Sequence, residues 1–167
     1  MPGNRNFLIF ENLIFMKVRM TFNQNFIKYS LPVIFWMAFI FWMSTETFSS
    51  QNTISLVERV LRILFSKISS QEVDLIHEFI RKSGHIIEYF ILGLLLFRAF
   101  RGRSIAFWSW RWSLFAVILV VLWATGDEFH QSFVPTRTAS VVDLLLDTAG
   151  GAFAQLVSIL WYRYRKK

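Results

Sequence analysis

Polar residues interrupt an otherwise apolar chain in three short groups, each at or near the end of a hydrophobic run. The groups are Lys82, His85, Glu88 and Tyr89; then Asp127, Glu128 and Gln131; then Arg137, Ser140, Asp143 and Asp147. An ionised side chain deep in a bilayer costs at least about 2.5–3.5 kcal/mol, so such residues usually face a partner, a cavity or a ligand. These three groups are therefore the candidate functional site.

The residue types in these groups are suited to acid–base chemistry on a polar ligand. The candidate catalytic residues are His85, Glu128 and Asp143, because an imidazole or a carboxylate can act as a general base. A cationic side chain can hold an anionic group or stabilise developing negative charge. The candidate ligand-binding residues are Lys82, Tyr89, Asp127, Gln131, Arg137, Ser140 and Asp147. Whether the protein is an enzyme stays open, and its cofactor, if any, is unknown.

Structural explanations compete with these functional ones. Lys82 could extend to the membrane surface, and Arg137 could simply pair with Asp127 or Glu128. Small residues on the last apolar run, Gly150 among them, indicate close helix packing rather than a ligand cradle. A divalent metal held by the histidine and the acids is a further alternative, but one His with scattered carboxylates is a weak metal signal, so no metal is predicted.

The elements that must position these residues are membrane-spanning helices. Of the 167 residues, 54% are hydrophobic and only 17% are charged, whereas a soluble domain usually has about 25% charged residues. A helix needs about 20 residues to cross the hydrocarbon, with a lower limit of about 17. The candidate spans are Tyr29–Ser44, Gly84–Phe100, Ile105–Thr125 and Val141–Tyr162. The predicted fold is an all-α integral membrane bundle of four transmembrane helices.

The segments outside the spans have patterns of their own. Apolar residues recur at helical spacing within residues 45–82, which predicts one or two amphipathic helices in the first outer loop. Residues 1–28 are predicted to be a cytoplasmic or interfacial segment, with Phe7–Met20 as a possible interfacial helix or as sequence before a later start. Residues 29–162 are the predicted four-helix domain, and residues 163–167 are a basic cytoplasmic tail.

Charge predicts the orientation of the bundle. Basic residues dominate the segment before the first span, the loop between spans two and three, and the tail, while the other two loops are balanced or acidic. By the positive-inside rule both termini lie in the cytoplasm, and the protein is a multi-pass protein of the cytoplasmic membrane. The net charge of +7 is therefore a topology signal that favours membrane lipids as partners, not nucleic acid.

This orientation brings the three polar groups to the same outward end of the bundle. At about 100° per residue, Lys82, His85, Glu88 and Tyr89 fall within an arc of about 120° on span two. Asp127 and Gln131 are one turn apart on span three, and Asp143 and Asp147 are one turn apart on span four. Each of these helices is expected to turn its polar face towards the others.

The motif residues resemble those of the VanZ-like family. The resemblance rests on Lys82-x-x-His85-x-x-x-Tyr89, on Asp127-Glu128-x-x-Gln131, and on Pro135-x-Arg137-x-x-Ser140-x-x-Asp143. Ser44 after an aromatic first span and the glycines at 150–151 also fit, so the resemblance runs from about Phe35 to Leu160. It implies a small bacterial polytopic membrane protein, in a family named after a determinant of resistance to the glycopeptide teicoplanin, and no settled molecular activity.

Three kinds of function remain open at this stage. The favoured one is binding or modification of a lipid headgroup, or of a lipid-linked or cell-wall ligand, at the outer leaflet. A proton- or ion-coupled transporter is the second, although polar residues become sparse in the inner halves of the spans. A structural membrane partner is the third. The ligand and the oligomeric state cannot be deduced from these patterns.

Overall fold

The computed structural model describes residues 24, 26–104, 108–137 and 139–165, and within these ranges it contains helices and no strand. The helices are α1, Leu31–Met43, preceded by a π-helical turn at Phe26–Ser30; α2, Ser50–Leu64, preceded by a 3₁₀ turn at Glu46–Phe48; α3, Ser70–Arg101; α4, Trp110–Gln131; and α5, Val141–Tyr164. The predicted interfacial helix at Phe7–Met20 lies outside the described residues.

Four of these helical segments are long and apolar enough to cross a membrane, as the sequence predicted. They are Phe26–Met43, Ser70–Arg101, Trp110–Gln131 and Val141–Tyr164. Their outer surfaces carry large apolar side chains that no other helix covers, such as Phe35, which is 70% exposed, and Leu122, which is 62% exposed. Lipid is the environment that suits such a surface, and the protein is a multi-pass membrane protein.

The second spanning helix begins well before the predicted span at Gly84. Ser69 and Glu72 form a capping box that starts α3 at Ser70, and Gly84 does not interrupt the helix. At about 1.5 Å per residue, the 32 residues of α3 extend about 48 Å, well beyond a hydrocarbon layer of about 30 Å. The second amphipathic stretch of the loop is therefore the first part of α3, and only α2 is a separate amphipathic helix.

The third span also differs from its predicted limits. The helix begins at Trp110 rather than Ile105, and residues 105–107 lie outside the described part. It continues to Gln131, six residues past the predicted end at Thr125. The polar residues of this segment are therefore placed on the last turns of a helix and not in a loop.

Small residues let α3 and α5 pack against each other. A Cβ atom added at Gly150 would collide with the main-chain oxygen of Ile86, and one at Gly93 would lie 2.8 Å from Cβ of Ala154. The apolar core is completed by α1 and α4, with Ile40, Leu92 and Val120 buried among these helices. This core fixes the rotation of the helices about their axes, and so decides which side chains meet at the polar end.

Candidate functional site

Buried polar side chains gather at one end of the bundle, where α1 and α4 end and α5 begins. We call this the polar end. The buried members of this group are Ser44, His85, Asp127, Glu128, Gln131, Asp143 and Asp147. The convergence of the three polar groups that the sequence predicted is present, and Ser44 at the end of α1 joins them.

His85 and Asp147 form the pair of side chains that is best suited to acid–base chemistry. His85 Nδ1 lies 3.0 Å from Asp147 Oδ1, and the exposed fractions of the two residues are 8% and 0%. With the proton on Nδ1, the imidazole donates to the carboxylate, which fixes the ring and leaves Nε2 as the acceptor. That arrangement is the one in which a histidine can accept a proton from a ligand.

Asp127 is tied to α1 rather than to a basic side chain. The Ser44 hydroxyl lies 2.5 Å and 2.6 Å from the two carboxylate oxygens of Asp127, and Gln131 Nε2 donates to Oδ2 at 2.9 Å. A buried carboxylate needs such donors, because burial without them is costly. Ser44, Asp127 and Gln131 therefore join the end of α1 to the end of α4.

Glu128 and Ser140 join α4 to α5. Glu128 Oε2 accepts a hydrogen bond of 2.7 Å from the main-chain N–H of Ser140. The Ser140 hydroxyl in turn accepts from the N–H of Asp143 at 3.3 Å, which caps the first turn of α5. Glu128 Oε1 is buried and has no hydrogen-bond partner among the described residues. At least one residue of the acidic cluster, Glu128, therefore serves to connect α4 to the start of α5.

Asp143 faces Arg81, a residue that the sequence interpretation missed. Arg81 Nη2 lies 3.4 Å from Asp143 Oδ2, and the Asp143 side chain is 1% exposed. On a helix of about 100° per residue, Arg81 lies about 40° from His85 and Lys82 about 60° on the other side. The helical projection would have identified Arg81 if α3 had been extended before residue 82. His77, one turn earlier, was missed for the same reason.

Lys82 lines neither cavity, and its role in ligand binding stays a prediction. Its ammonium group pairs at 2.6 Å with Glu78, and both side chains are more than one-third exposed. Tyr89, by contrast, is 0% exposed, and its hydroxyl has no hydrogen-bond partner in the part of the chain that the structure describes. Tyr89 lies within the cluster as expected.

Arg137 contacts main-chain carbonyls and not the acids that the sequence suggested as its partners. Its Nη2 donates to the carbonyl oxygens of Met43 at 2.6 Å and Thr45 at 3.3 Å. These carbonyls lie at the end of α1, where the helix leaves them without internal donors. Burial lowers the pKa of the Arg137 guanidinium from its ordinary value, while the carboxylate of Asp127 acts in the opposite direction.

Two neighbouring cavities open at the polar end. The smaller, of about 220 Å³, is lined by polar residues that include Ser44, His85 and Glu88, and by apolar residues of α2 and α3. The larger, of about 460 Å³, includes Ser140 in its wall. His77, Arg81 and Arg137 line both cavities. The amphipathic helix α2 covers the smaller one, held to α3 by a 2.9 Å contact between Thr53 Oγ1 and His77 Nε2.

The comparison with protein-family models decides the family. The VanZ/LLP1 model matches residues 29–162, which is most of the chain. The chain belongs to the VanZ/LLP1 family. No curated protein and no solved structure matches it.

The site of this VanZ/LLP1 chain divides the predicted residues into three sets. His85, Arg137 and Ser140 line a cavity, whereas Lys82 lies outside both cavities. The others stand behind the cavity walls: Tyr89, Asp127, Glu128, Gln131, Asp143 and Asp147. Their proposed roles in catalysis and binding stay predictions, and the geometry gives several of them a task in orienting the lining residues.

The weak metal alternative gains no support from the geometry of this VanZ/LLP1 site. In the described ranges, no group of three or more His, Asp or Glu side chains is arranged to hold a metal ion. Asp127 is bound to Ser44 and Gln131, and Oε2 of Glu128 is bound to a main-chain N–H, so the two acids have different partners.

Proposed function

We propose that the protein binds the polar headgroup of an envelope lipid or lipid-linked precursor at the outer leaflet of the bacterial cytoplasmic membrane. The observation that carries this proposal is the smaller cavity, whose wall includes His85 with its Nδ1 held by buried Asp147. Perturbed or buried ionisable groups around a cavity are a common mark of a functional site. Membrane lipids are the proposed partners, and cytoplasmic termini are part of the proposal because the charge pattern favours them.

The lining of the smaller cavity suits an amphiphilic ligand. Its polar residues face apolar ones, among them Phe48, Val57 and Ile80. A volume of about 220 Å³ accommodates a headgroup and not a whole lipid, so the acyl chains would remain in the bilayer beside the exposed apolar surface of the spans.

A modifying reaction is compatible with the same geometry. His85 Nε2 would accept a proton from a hydroxyl group of the ligand or from water, and Asp147 would hold the ring and stabilise the imidazolium. The arginines that line the cavity would stabilise negative charge that develops on the ligand. Glu128 and Asp143 would act through the residues they hold: Glu128 through Ser140, and Asp143 through Arg81.

The two alternative functions have less support. A transporter needs a polar track across the bilayer, but below the cluster the core is formed by apolar side chains such as Leu92, Leu96 and Val120. Gln155 is buried there, but its amide nitrogen donates to the carbonyls of Gly93 and Gly151 and so serves packing. A purely structural partner would not require a cavity walled by ionisable groups.

The test of the proposal is whether bound lipid depends on His85. The full chain is purified in detergent and its bound lipids are quantified by mass spectrometry, for the wild type, His85→Ala, Asp147→Asn and His130→Ala. His130 is the matched control because it packs against the ring of Phe41, with centroids 4.5 Å apart, outside both cavities. Loss of a hydrogen bond from a buried group costs about 1–3 kcal/mol, so His85→Ala should retain roughly tenfold less lipid.

Asp147→Asn should give an intermediate loss, because the amide can no longer fix the imidazole as the carboxylate does. His130→Ala should retain as much lipid as the wild type. Equal retention in His85→Ala and His130→Ala would contradict the proposal. In cells, the proposal extends to glycopeptides: expression of the wild type should alter sensitivity to teicoplanin, and His85→Ala should remove that effect while the protein remains in the membrane.

A further inference from the structure

We infer that the group bound at this site is a phosphate or pyrophosphate, and that Arg81 and Arg137 hold it where the two cavities meet. The inference rests on the proposed function and specifies the ligand class of the same site. Neither the motif residues nor the family match assigns Arg81 a role.

The junction of the cavities is where a bound group would meet both arginines. Among the described residues, the two linings have three in common, His77, Arg81 and Arg137, and all three can carry positive charge. One cavity of about 220 Å³ is partly apolar and covered by α2, and the other of about 460 Å³ is walled mainly by polar residues. A ligand that has a less polar part and a polar part, with an anionic group between them, fits this arrangement.

The signs of the charges favour an anion at the cavity surface, although acids outnumber bases in the cluster as a whole. Asp143 and Asp147 are 1% and 0% exposed and line neither cavity. Each lies behind a basic residue, Asp143 behind Arg81 and Asp147 behind His85. Glu78 does line the larger cavity, but Lys82 neutralises it at 2.6 Å. Glu88 is the one acid among the described residues in the lining of the smaller cavity, which also includes the basic residues His77, Arg81, His85 and Arg137.

Both guanidinium groups keep donors to offer. Arg137 uses Nη2 for the carbonyls of Met43 and Thr45, while its Nε is buried without a partner among the described residues. Arg81 contacts Asp143 through Nη2. An arginine has five N–H donors in a planar fork that matches two oxygens of one phosphate. A tetrahedral phosphate can face two such forks from different sides, whereas a planar carboxylate serves one of them well.

The electrostatics of Arg137 agree with this arrangement. Burial is the main cause that lowers its pKa, and the positive charge of Arg81 lowers it further. The two guanidinium groups therefore repel each other across the cavity junction. An anion placed between them would relieve that repulsion and gain charge-assisted hydrogen bonds with both.

The phosphate could belong to a lipid or be free in solution, and three probes distinguish these sources. Binding to the full chain in phosphate-free detergent is measured for phosphatidylglycerol, for inorganic pyrophosphate and for a monoglucosyl diacylglycerol that has no phosphate. We expect at least one phosphate probe to bind about tenfold or more tightly than the glucolipid. Binding of phosphatidylglycerol alone identifies a lipid source, and binding of pyrophosphate identifies the phosphate group itself as sufficient.

The two arginines are tested with variants that keep the positive charge at each position. Arg81→Lys and Arg137→Lys retain a cation but lose the planar fork, so each should weaken the phosphate probe about tenfold while glucolipid binding stays unchanged. Arg59→Gln is the control, because Arg59 is exposed on α2 and lines neither cavity, and it should bind within about twofold of the wild type. Circular dichroism and gel filtration verify that each variant is folded.

Two results would overturn the inference, and they are separable from failure of the proposed function. If the glucolipid binds as tightly as the phosphate probes, the site takes a neutral headgroup, so the proposed function stands and the phosphate assignment fails. Wild-type affinity for phosphate in both lysine variants would likewise remove the arginines from the site. If no probe binds and His85→Ala leaves bound lipid unchanged, both the inference and the proposed function fail.

Discussion

At the scale of single residues, the polar end is organised by hydrogen bonds that cross between helices. Asp127 is bound by Ser44 of the α1 end, Glu128 by the main chain before α5, and Asp147 by His85 of α3. Each acid therefore connects two helices as well as contributing charge. These hydrogen bonds offset part of the cost of burying the three carboxylates, since a buried polar group is tolerated when it has a partner.

The observed partners of Arg137 differ from the acids that the sequence suggested, and this difference leads to a prediction about stability. Because its guanidinium donates to the carbonyls of Met43 and Thr45, Arg137→Ala should lower the free energy of unfolding by about 1–3 kcal/mol. Addition of Asp127→Asn should not restore it, since Ser44 and Gln131 are the hydrogen-bond partners of Asp127. Unfolding in detergent, followed by tryptophan fluorescence, measures both effects.

Arg137→Lys is expected to recover part of this stability, because an ammonium group can still donate to a carbonyl. The double variant decides the partner of Arg137. If Asp127→Asn or Glu128→Gln brought Arg137→Ala back to wild-type stability, Arg137 would be shown to neutralise an acid, and its contact with the end of α1 would be secondary.

At the scale of elements, the position of the site depends on how closely α3 and α5 approach. The pair His85–Asp147 and the pair Arg81–Asp143 both cross this contact. Gly150 lies against the main chain at Ile86, one residue after His85. A side chain at position 150 would push the helices apart and separate the pairs that the proposed function requires.

Gly150→Ala is therefore predicted to reduce stability by about 1–3 kcal/mol, because its Cβ would overlap backbone that cannot move away freely. Gly126→Ala on α4 is the matched control, since a Cβ there meets nothing within 4 Å. In the control, replacing glycine inside a helix should stabilise by up to about 1 kcal/mol. Thermal unfolding of both purified variants gives the comparison, and an unaffected Gly150→Ala protein would show that α3 and α5 are less tightly packed.

At the scale of the whole molecule, the two ends of the bundle have opposite character. The polar end holds the acids and the cavities, while arginines with aromatic partners mark the other end. Arg101 lies over the ring of Tyr162 at 4.7 Å, and Arg98 over that of Tyr29 at 5.8 Å. Arginine and tyrosine are enriched at membrane interfaces, with basic residues on the cytoplasmic side. This asymmetry motivates the orientation proposed for the protein.

The orientation predicts the outcome of reporter fusions. Fusions after Arg103 and after Arg165 should report the cytoplasm, and fusions within residues 50–64 or at Pro135 should report the external side. Four spans place both ends of the described bundle on the same side, so the signals should agree in pairs. An external signal at Arg103 would mean that the orientation is the reverse of the proposed one, and that the proposed ligand binds at the inner leaflet.

The class of the fold and the convergence of the polar residues could be predicted from the amino-acid sequence. Long apolar runs with few charges can be stable only as helices in lipid, and that requirement depends on composition and length alone. The same cost of burying charge indicated that the residues around His85, Asp127 and Asp143 had to converge. The glycines at 150–151 predicted close packing for an equally local reason, because they are the smallest residues on their helix face.

Which of these side chains pair with each other, and which line a cavity, depends on how the helices pack. Arg81 and Lys82 are neighbours in sequence, yet one lines the cavities and the other pairs with Glu78, because the length and rotation of α3 set the direction of each side chain. The partners of Arg137 are main-chain carbonyls, which every residue possesses and no sequence pattern distinguishes. Pairing across helices depends on distances of a few ångströms, and those are set by the packing of the whole bundle.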